Sequence, residues 1–192
     1  MNRLHAVICS SGRWRQIVER ELLPWGLRDA ELGDDVLEIG PGFGATTRVL
    51  TKRAPALTVL ELDERYCERL RRELAEAVTI VQGDATAMPF TDGRFSAVVC
   101  FTMLHHLPSS QAQNQLLAEV ERVLRPGGLF AGTDSLGQGL LFRLLHIGDT
   151  LVPVAPDGLA DRLHNAGLAE TVVSRSASSF RFRARKPAAA AR

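Results

Sequence analysis

Three carboxylates carry the chemistry that can be read most directly from this chain. Glu38 lies in the apolar run Val36-Leu37-Glu38-Ile39, which is followed at once by Gly40-Pro41-Gly42-Phe43-Gly44. Glu61 closes a second apolar run, Leu57 to Leu60. Asp84 follows a third, Val78 to Val81, within Gln82-Gly83-Asp84-Ala85. Near-adjacent glycines let a backbone turn tightly and approach a ligand with no Cβ in the way. A helix that starts after such a turn offers its unpaired N–H groups to whatever sits there. A glycine-rich turn alone is weak evidence, because Gly40, Gly42 and Ala45 also fit the G-x-G-x-x-A fingerprint of nicotinamide dinucleotide sites.

The acids narrow the choice. A carboxylate beside the loop repels a pyrophosphate and pairs with an ammonium group. S-Adenosyl-L-methionine carries an ammonium and a sulfonium but no phosphate, so Glu38 favours it over a dinucleotide. Glu61 can accept hydrogen bonds from both hydroxyls of a ribose, a feature shared with dinucleotide binders. Asp84 can accept a hydrogen bond from an adenine amino group while the Ala85 N–H meets a ring nitrogen. The competing reading of Asp84 is an Asx turn, and its register with the other two acids decides against that. Asp63 reads as a helix N-cap.

These residues need a scaffold that brings successive strand ends together. Strands are expected at Val36 to Ile39, Leu57 to Leu60, Val78 to Val81, Ala97 to Phe101 and Leu129 to Thr133. Helices are expected from Ala45 to Arg53, from Asp63 to Ala77 and from Ser110 to Leu124, the last with Leu116, Leu117, Val120 and Val123 at core spacing. Strict strand–helix alternation predicts a parallel sheet covered on both faces, an α/β doubly wound fold. An earlier helix, Trp14 to Leu23, is expected to end at Pro24 and Gly26. Arg125-Pro126-Gly127-Gly128 is expected to break the helix before it. Toward the end come a helix from Pro156 to Ala166 and a hairpin of Thr171 to Ser174 with Phe180 to Ala184. In that hairpin Arg181, Arg183 and Arg185 alternate with apolar residues and form a charged solvent face. The tail from Pro187 to Arg192 should fray. We therefore expect one domain over residues 1–192: a helical cap (1–33), a cofactor-binding core (34–134), an insertion or lid (135–155), and a C-terminal helix and hairpin (156–186).

With these segments in order, the sequence resembles the class I S-adenosylmethionine-dependent methyltransferases of the small-molecule type. The resemblance rests on Val36 to Thr47, Val59-Leu60-Glu61-Leu62-Asp63, Gly83 to Phe90, and Glu121 to Gly128, and it covers roughly residues 34–134. It implies a Rossmann-like, seven-stranded, mostly parallel sheet with its last strand antiparallel. It also implies that Glu38, Gly40, Gly42 and Gly44 meet the methionine end of the cofactor, Glu61 the ribose, and Asp84 with Ala85 the adenine. Leu62 would pack on the adenine face, and Pro41, Gly83 and Phe101 complete the cofactor-binding set. Two other functions stay open: a nicotinamide-dependent oxidoreductase on the same fold, and a non-catalytic cofactor-binding or regulatory module.

Methyl transfer needs alignment and water exclusion more than a strong catalytic group. His105 and His106 follow the fourth strand, where the methyl should point, and His105 is the candidate catalytic base. A local loop contact is the competing reading. Adjacent histidines seldom chelate one ion and no third ligand is spaced nearby, so no metal is expected. The acceptor pocket is expected to combine Trp14 and Trp25, the loop from Phe101 to Leu107, and the insertion with Phe142, His146 and Ile147. So small a cap suits a small-molecule acceptor or help from a second copy, leaving monomer and homodimer open.

Composition sets the remaining bounds. The 192 residues carry a formal net charge of +1, with 45% hydrophobic and 23% charged residues, so the nucleic-acid partner that a basic excess would suggest is not expected. Cys100-Phe101-Thr102-Met103 also lacks the Asn/Asp-Pro-Pro-aromatic signature of base amine methylation. Glu61-Leu62-Asp63, by contrast, is similar to the matching stretch of ribosomal RNA adenine dimethyltransferases. Three unpaired cysteines, no spanning apolar run and no signal-type start imply a cytoplasmic protein without membrane contact.

Overall fold

The computed structural model describes residues 3–138, 142, 144 and 146–189. Seven strands form one sheet: β1 (Asp35–Ile39), β2 (Ala56–Glu61), β3 (Thr79–Gln82), β4 (Phe95–Phe101), β5 (Leu124–Ser135), β6 (Ala169–Arg175) and β7 (Ser179–Arg185). Their spatial order is β3-β2-β1-β4-β5-β7-β6. Strands β1 to β5 pair in parallel, and β7 lies antiparallel between β5 and β6. The chain runs outward from β1 to β3 and then crosses to β4 on the other side of β1. That reversal opens a crevice at the carboxyl ends of β1 and β4, the usual ligand position in open α/β sheets.

The helices are α1 (Arg3–Ser10), α2 (Gly12–Ile17), α3 (Leu23–Gly26), α4 (Thr47–Leu50), α5 (Glu64–Leu74), α6 (Ser110–Val123) and α7 (Leu159–Asn165). Alternate strand residues point to opposite faces, so each strand feeds two cores. Leu37, Ile39, Val98, Cys100 and Phe130 pack with Leu116, Leu117 and Val120 of α6 and Leu159 and Leu163 of α7. Val36, Val59, Val99 and Ala131 pack on the other face with Val18, Leu23, Leu50 and Leu70. Both faces are covered, which is why the central strands read as unbroken apolar runs.

Side-chain caps open three of these helices, α2 at Ser11, α5 and α6. The Asp63 side chain accepts the Arg65 N–H at 2.9 Å and Ser109 accepts the Ala112 N–H at 3.0 Å, opening α5 and α6. Helix α5 stops three residues short of the expected Ala77. The helix expected from Ala45 is regular only from Thr47 to Leu50, with turns on either side. Helix α1 was not anticipated.

Two expected breaks are absent. Pro24 does not end its helix: a π turn over Val18–Leu22, closed by the Leu23 N–H on the Val18 carbonyl, precedes it, and helical backbone continues to Gly26. The wider turn shifts the carbonyl that a proline ring would otherwise strike. Residues Arg125 to Gly128 likewise belong to β5, which begins at Leu124 with a register shift against β4. Gly127, at φ 78°, donates to the Lys186 carbonyl at 2.9 Å, and Lys186 donates to the Gly128 carbonyl at 2.9 Å, so backbone bonds to the C-terminal segment flank the irregularity. The arginines of β7 are more than a solvent face: Arg181 donates to the Trp25 carbonyl at 3.1 Å and Arg185 to the Gly127 carbonyl at 2.9 Å. Of the expected lid, residues 139–141, 143 and 145 lie outside the described residues, as do 190–192 of the expected tail.

Candidate cofactor and acceptor site

A cavity of about 890 Å³ lies at the carboxyl ends of the strands. Leu62, Gly83, Asp84 and Ala85 line it after β2 and β3, Gly40, Pro41 and Gly42 after β1, and Phe101 and His105 after β4. Glu61 lines it too, with a side chain that joins two of these segments. One of its oxygens accepts the Leu62 and Asp63 N–H groups at 2.9 and 3.0 Å, and the other accepts the Gly42 N–H at 3.1 Å. Burial raises the Glu61 pKa, and these three N–H bonds oppose the rise. The carboxylate therefore fixes the glycine loop to the end of β2 and leaves limited acceptor capacity toward the cavity. It also places negative charge against the loop N–H that a pyrophosphate would need, which disfavours a dinucleotide.

Two of the expected site residues do not face the cavity. Glu38 is only 1% exposed and lies beneath the loop, where its carboxylate accepts the Thr46 hydroxyl and, at 2.6 Å, the Thr47 hydroxyl. Burial pushes its pKa up to about 7 against the pull of those two hydroxyls. Glu38 shares a sheet face with Val36, opposite Val59 and Val99 in register, and that face is core at this depth. The structure thus places it as a pin for the start of α4, not as a cavity-facing partner for an ammonium. Gly44 also turns away: at φ 71°, its missing Cβ would lie 2.6 Å from Leu70 Cδ2, so it admits α5. Gly42 behaves oppositely. A Cβ there would meet nothing within 4 Å at φ 52°, and its backbone lines open cavity.

Asp84 makes the Asx turn that had been set aside, its Oδ1 accepting both the N–H and the hydroxyl of Thr86 at 2.8 Å. It still lines the cavity with Gly83 and Ala85, so the turn and a ligand contact are compatible. Leu62 is 68% exposed although large and apolar, and it borders the same space. An apolar side chain held open beside Asp84 suits the flat face of a purine. Together, the open edge at Gly42, the exposed Leu62 and the two acids fit an adenosyl group bearing an amino-acid tail.

The cavity is also lined by Trp14, Trp25, Phe101, Met103, His105 and Phe142, the residues from which an acceptor pocket was expected among them. The unanticipated α1 adds Ile8 and Cys9, and burial raises the Cys9 thiol pKa to about 11, which keeps it protonated. Thr102, a β-branched residue at φ 51°, turns the chain from β4 toward the histidines, its N–H held by the Thr133 carbonyl at 2.8 Å. Strain of this kind concentrates at functional sites.

His105 is 3% exposed, and its Nδ1 pairs with the Asp134 carboxylate, which is fully buried and also accepts the His105 backbone N–H at 3.0 Å. Asp134 sits in β5 beside the end of β4. Sequence reasoning missed it because no motif marks it; its one signal is a lone acid inside an apolar strand. A third histidine, His146, lies beside His105 and His106, where sequence spacing offered none.

The fold and this cavity define a doubly wound α/β protein with a nucleoside-type site at its switch point. Residues 37–132 match the profile of the methyltransferase domain family, and the chain belongs to that family. It is 39% identical over 108 residues to a fatty-acid O-methyltransferase of Mycolicibacterium smegmatis, a match covering 54% of this chain and 38% of that protein. It is 45% identical over 62 residues to ribosomal RNA small subunit methyltransferase A of Cupriavidus metallidurans, covering 32% of this chain and 22% of that one. A Pyrococcus horikoshii crystal structure superposes with a TM-score of 0.80 at 18% identity, covering 97% of this chain and 99% of the other. The chain thus spans well under half the length of these two named relatives. Among the described residues no helix is long and apolar enough to cross a membrane.

Proposed function

We propose that the chain transfers a methyl group from S-adenosyl-L-methionine to a small, largely apolar acceptor. One observation carries the reading: a single cavity joins the Leu62–Asp84 edge, the glycine loop and an aromatic end at Trp14, Phe101 and Phe142. When bound, the cofactor supplies a methyl group already activated on a sulfonium. The protein's share is alignment and the exclusion of water. Glu61 and Gly42 hold the loop in place, Leu62 and Asp84 receive the adenosine, and the tryptophans and Phe142 enclose the acceptor. His105, oriented by Asp134, offers its other ring nitrogen to the acceptor's O–H or N–H. The name of the fatty-acid O-methyltransferase relative supports an apolar acceptor.

The ribosomal RNA relative supports an RNA acceptor instead, and the formal net charge of +1 weighs against it. The three free cysteines fit a reducing cytoplasm, and the protein would act there as a monomer or homodimer. Titration with S-adenosylhomocysteine and, separately, with NAD tests the cofactor. Binding of the first and not the second is expected, and the reverse would refute the reading. Transfer of labelled methyl from S-adenosylmethionine to a panel of fatty acids and amphipathic alcohols, with ribosomal RNA alongside, then tests the acceptor class.

A further inference from the structure

We infer that His105, His106 and His146 form a binding site for a divalent transition-metal ion, with zinc as the type case, at the acceptor end of the cavity. One ring nitrogen from each lies within 4.8 Å of the other two. The ring centroids are 4.2 Å apart for His105 and His106, 5.2 Å for His105 and His146, and 5.4 Å for His106 and His146. All three line the same cavity.

Packing alone would account for three stacked rings beside Phe142. It does not account for their shared polarity. In each ring it is Nδ1 that meets an oxygen acceptor: Asp134 Oδ1 for His105, the Thr150 carbonyl at 3.3 Å for His106, and the Phe142 carbonyl at 2.7 Å for His146. A neutral imidazole that donates through Nδ1 carries its lone pair on Nε2. Metal-ligating histidines characteristically donate their second nitrogen to a carboxylate or a backbone carbonyl in this way. Here one carboxylate and two carbonyls perform that task.

A tetrahedral ion about 2.0–2.1 Å from each nitrogen requires ligand atoms roughly 3.3 Å apart. With ring nitrogens up to 4.8 Å apart, the rings would have to draw together by as much as about 1.5 Å as the ion binds. Three imidazoles suit zinc, cobalt, nickel or copper and do not suit magnesium or calcium, which take oxygen ligands. The three histidines line the cavity, so a fourth ligand would enter from it. There the ion, in place of the His105 ring nitrogen that it occupies, would take the acceptor's heteroatom as a ligand, a role that rests on the methyltransferase reading, whereas metal binding itself does not.

Two experiments separate these levels. Metal-stripped protein is titrated with Zn²⁺ against a chromophoric chelator, and with Co²⁺ while following visible absorption. One tight site is expected, with the intense bands of low-coordinate cobalt. His146→Ala should lose both. Asp134→Asn, which leaves the three ligands in place, should weaken Zn²⁺ by about 10- to 100-fold. His164→Ala, at an exposed histidine outside the cluster, should change neither. Unfolding midpoints and S-adenosylhomocysteine affinity, measured on the same samples, establish that each variant is folded and whether the cofactor site is sound. Zn²⁺ affinity that is absent, or unaltered in both His146→Ala and His106→Ala, overturns the metal site and leaves the cofactor reading untouched. Loss of homocysteine-product binding with Zn²⁺ binding intact does the opposite.

Discussion

Replacing Glu38 with glutamine should remove a defined part of the protein's pH dependence. In the folded chain burial holds the Glu38 carboxyl at about 7, against an ordinary value of 4.5. Between those values the native state keeps a proton that the unfolded state has released, so stability falls as pH rises, by about 1.36 kcal/mol per pH unit. The contribution is fully present below 4.5 and lost once pH passes about 7. Integrated from about pH 5 to about pH 8, the loss is about 2.5 kcal/mol. Glutamine keeps an acceptor for one threonine hydroxyl, donates to the other, and does not titrate. Urea unfolding of both proteins at the two pH values isolates the residue, because every other group cancels in the difference. The wild type should lose about 2.5 kcal/mol more than Glu38→Gln over this range. Saturating S-adenosylhomocysteine should leave that difference in place, since the carboxylate faces the threonines and not the cavity. A difference that does not vary with pH would refute the burial argument. One that collapses with ligand would return Glu38 to the role of ammonium partner.

The remaining expectations concern the loop and its clamp. Glu61→Ala should weaken S-adenosylhomocysteine binding by about 1–3 kcal/mol, read by calorimetry, because the Gly42 N–H of the loop and the Leu62 and Asp63 N–H groups lose their shared acceptor, along with the ribose contact that we propose for it. Gly44→Ala should cost about 2–3 kcal/mol, from about 1–2 for the left-handed backbone plus displacement of Leu70, and should lower the melting temperature by roughly 4–12 °C. Gly42→Ala carries a similar backbone strain but projects its methyl into open cavity, so it should lose more ligand affinity than Gly44→Ala for less or equal loss of stability. If both variants affect binding equally, the two glycines do not divide their roles as described.

Much of this architecture is legible in one dimension because it follows from short-range rules. Strand–helix alternation, the N-cap at Asp63, and the apolar stripe of α6 each depend on neighbours within a turn or two, and all appear in the fold. The placing of Glu61, Leu62 and Asp84 on one cavity also follows, since parallel strands must end on the same side of the sheet. What escapes is direction. Strand periodicity says that Glu38 alternates with Leu37 and Ile39 but not what covers its face; only the packing of Thr46 and Thr47 over it turns an apparent ligand into a buried pin. Gly44 is likewise indistinguishable from Gly42 until α5 is laid against it. The acceptor end is the least legible part, because its groups are far apart along the chain. Asp134 meets His105 only through the β4–β5 pairing, and His146, forty residues further along the chain than His106, joins the pair only in the folded protein. Local sequence chooses the elements and their caps through short-range sterics and hydrogen bonds, while the neighbours of a side chain beyond its own turn exist only after the sheet has closed.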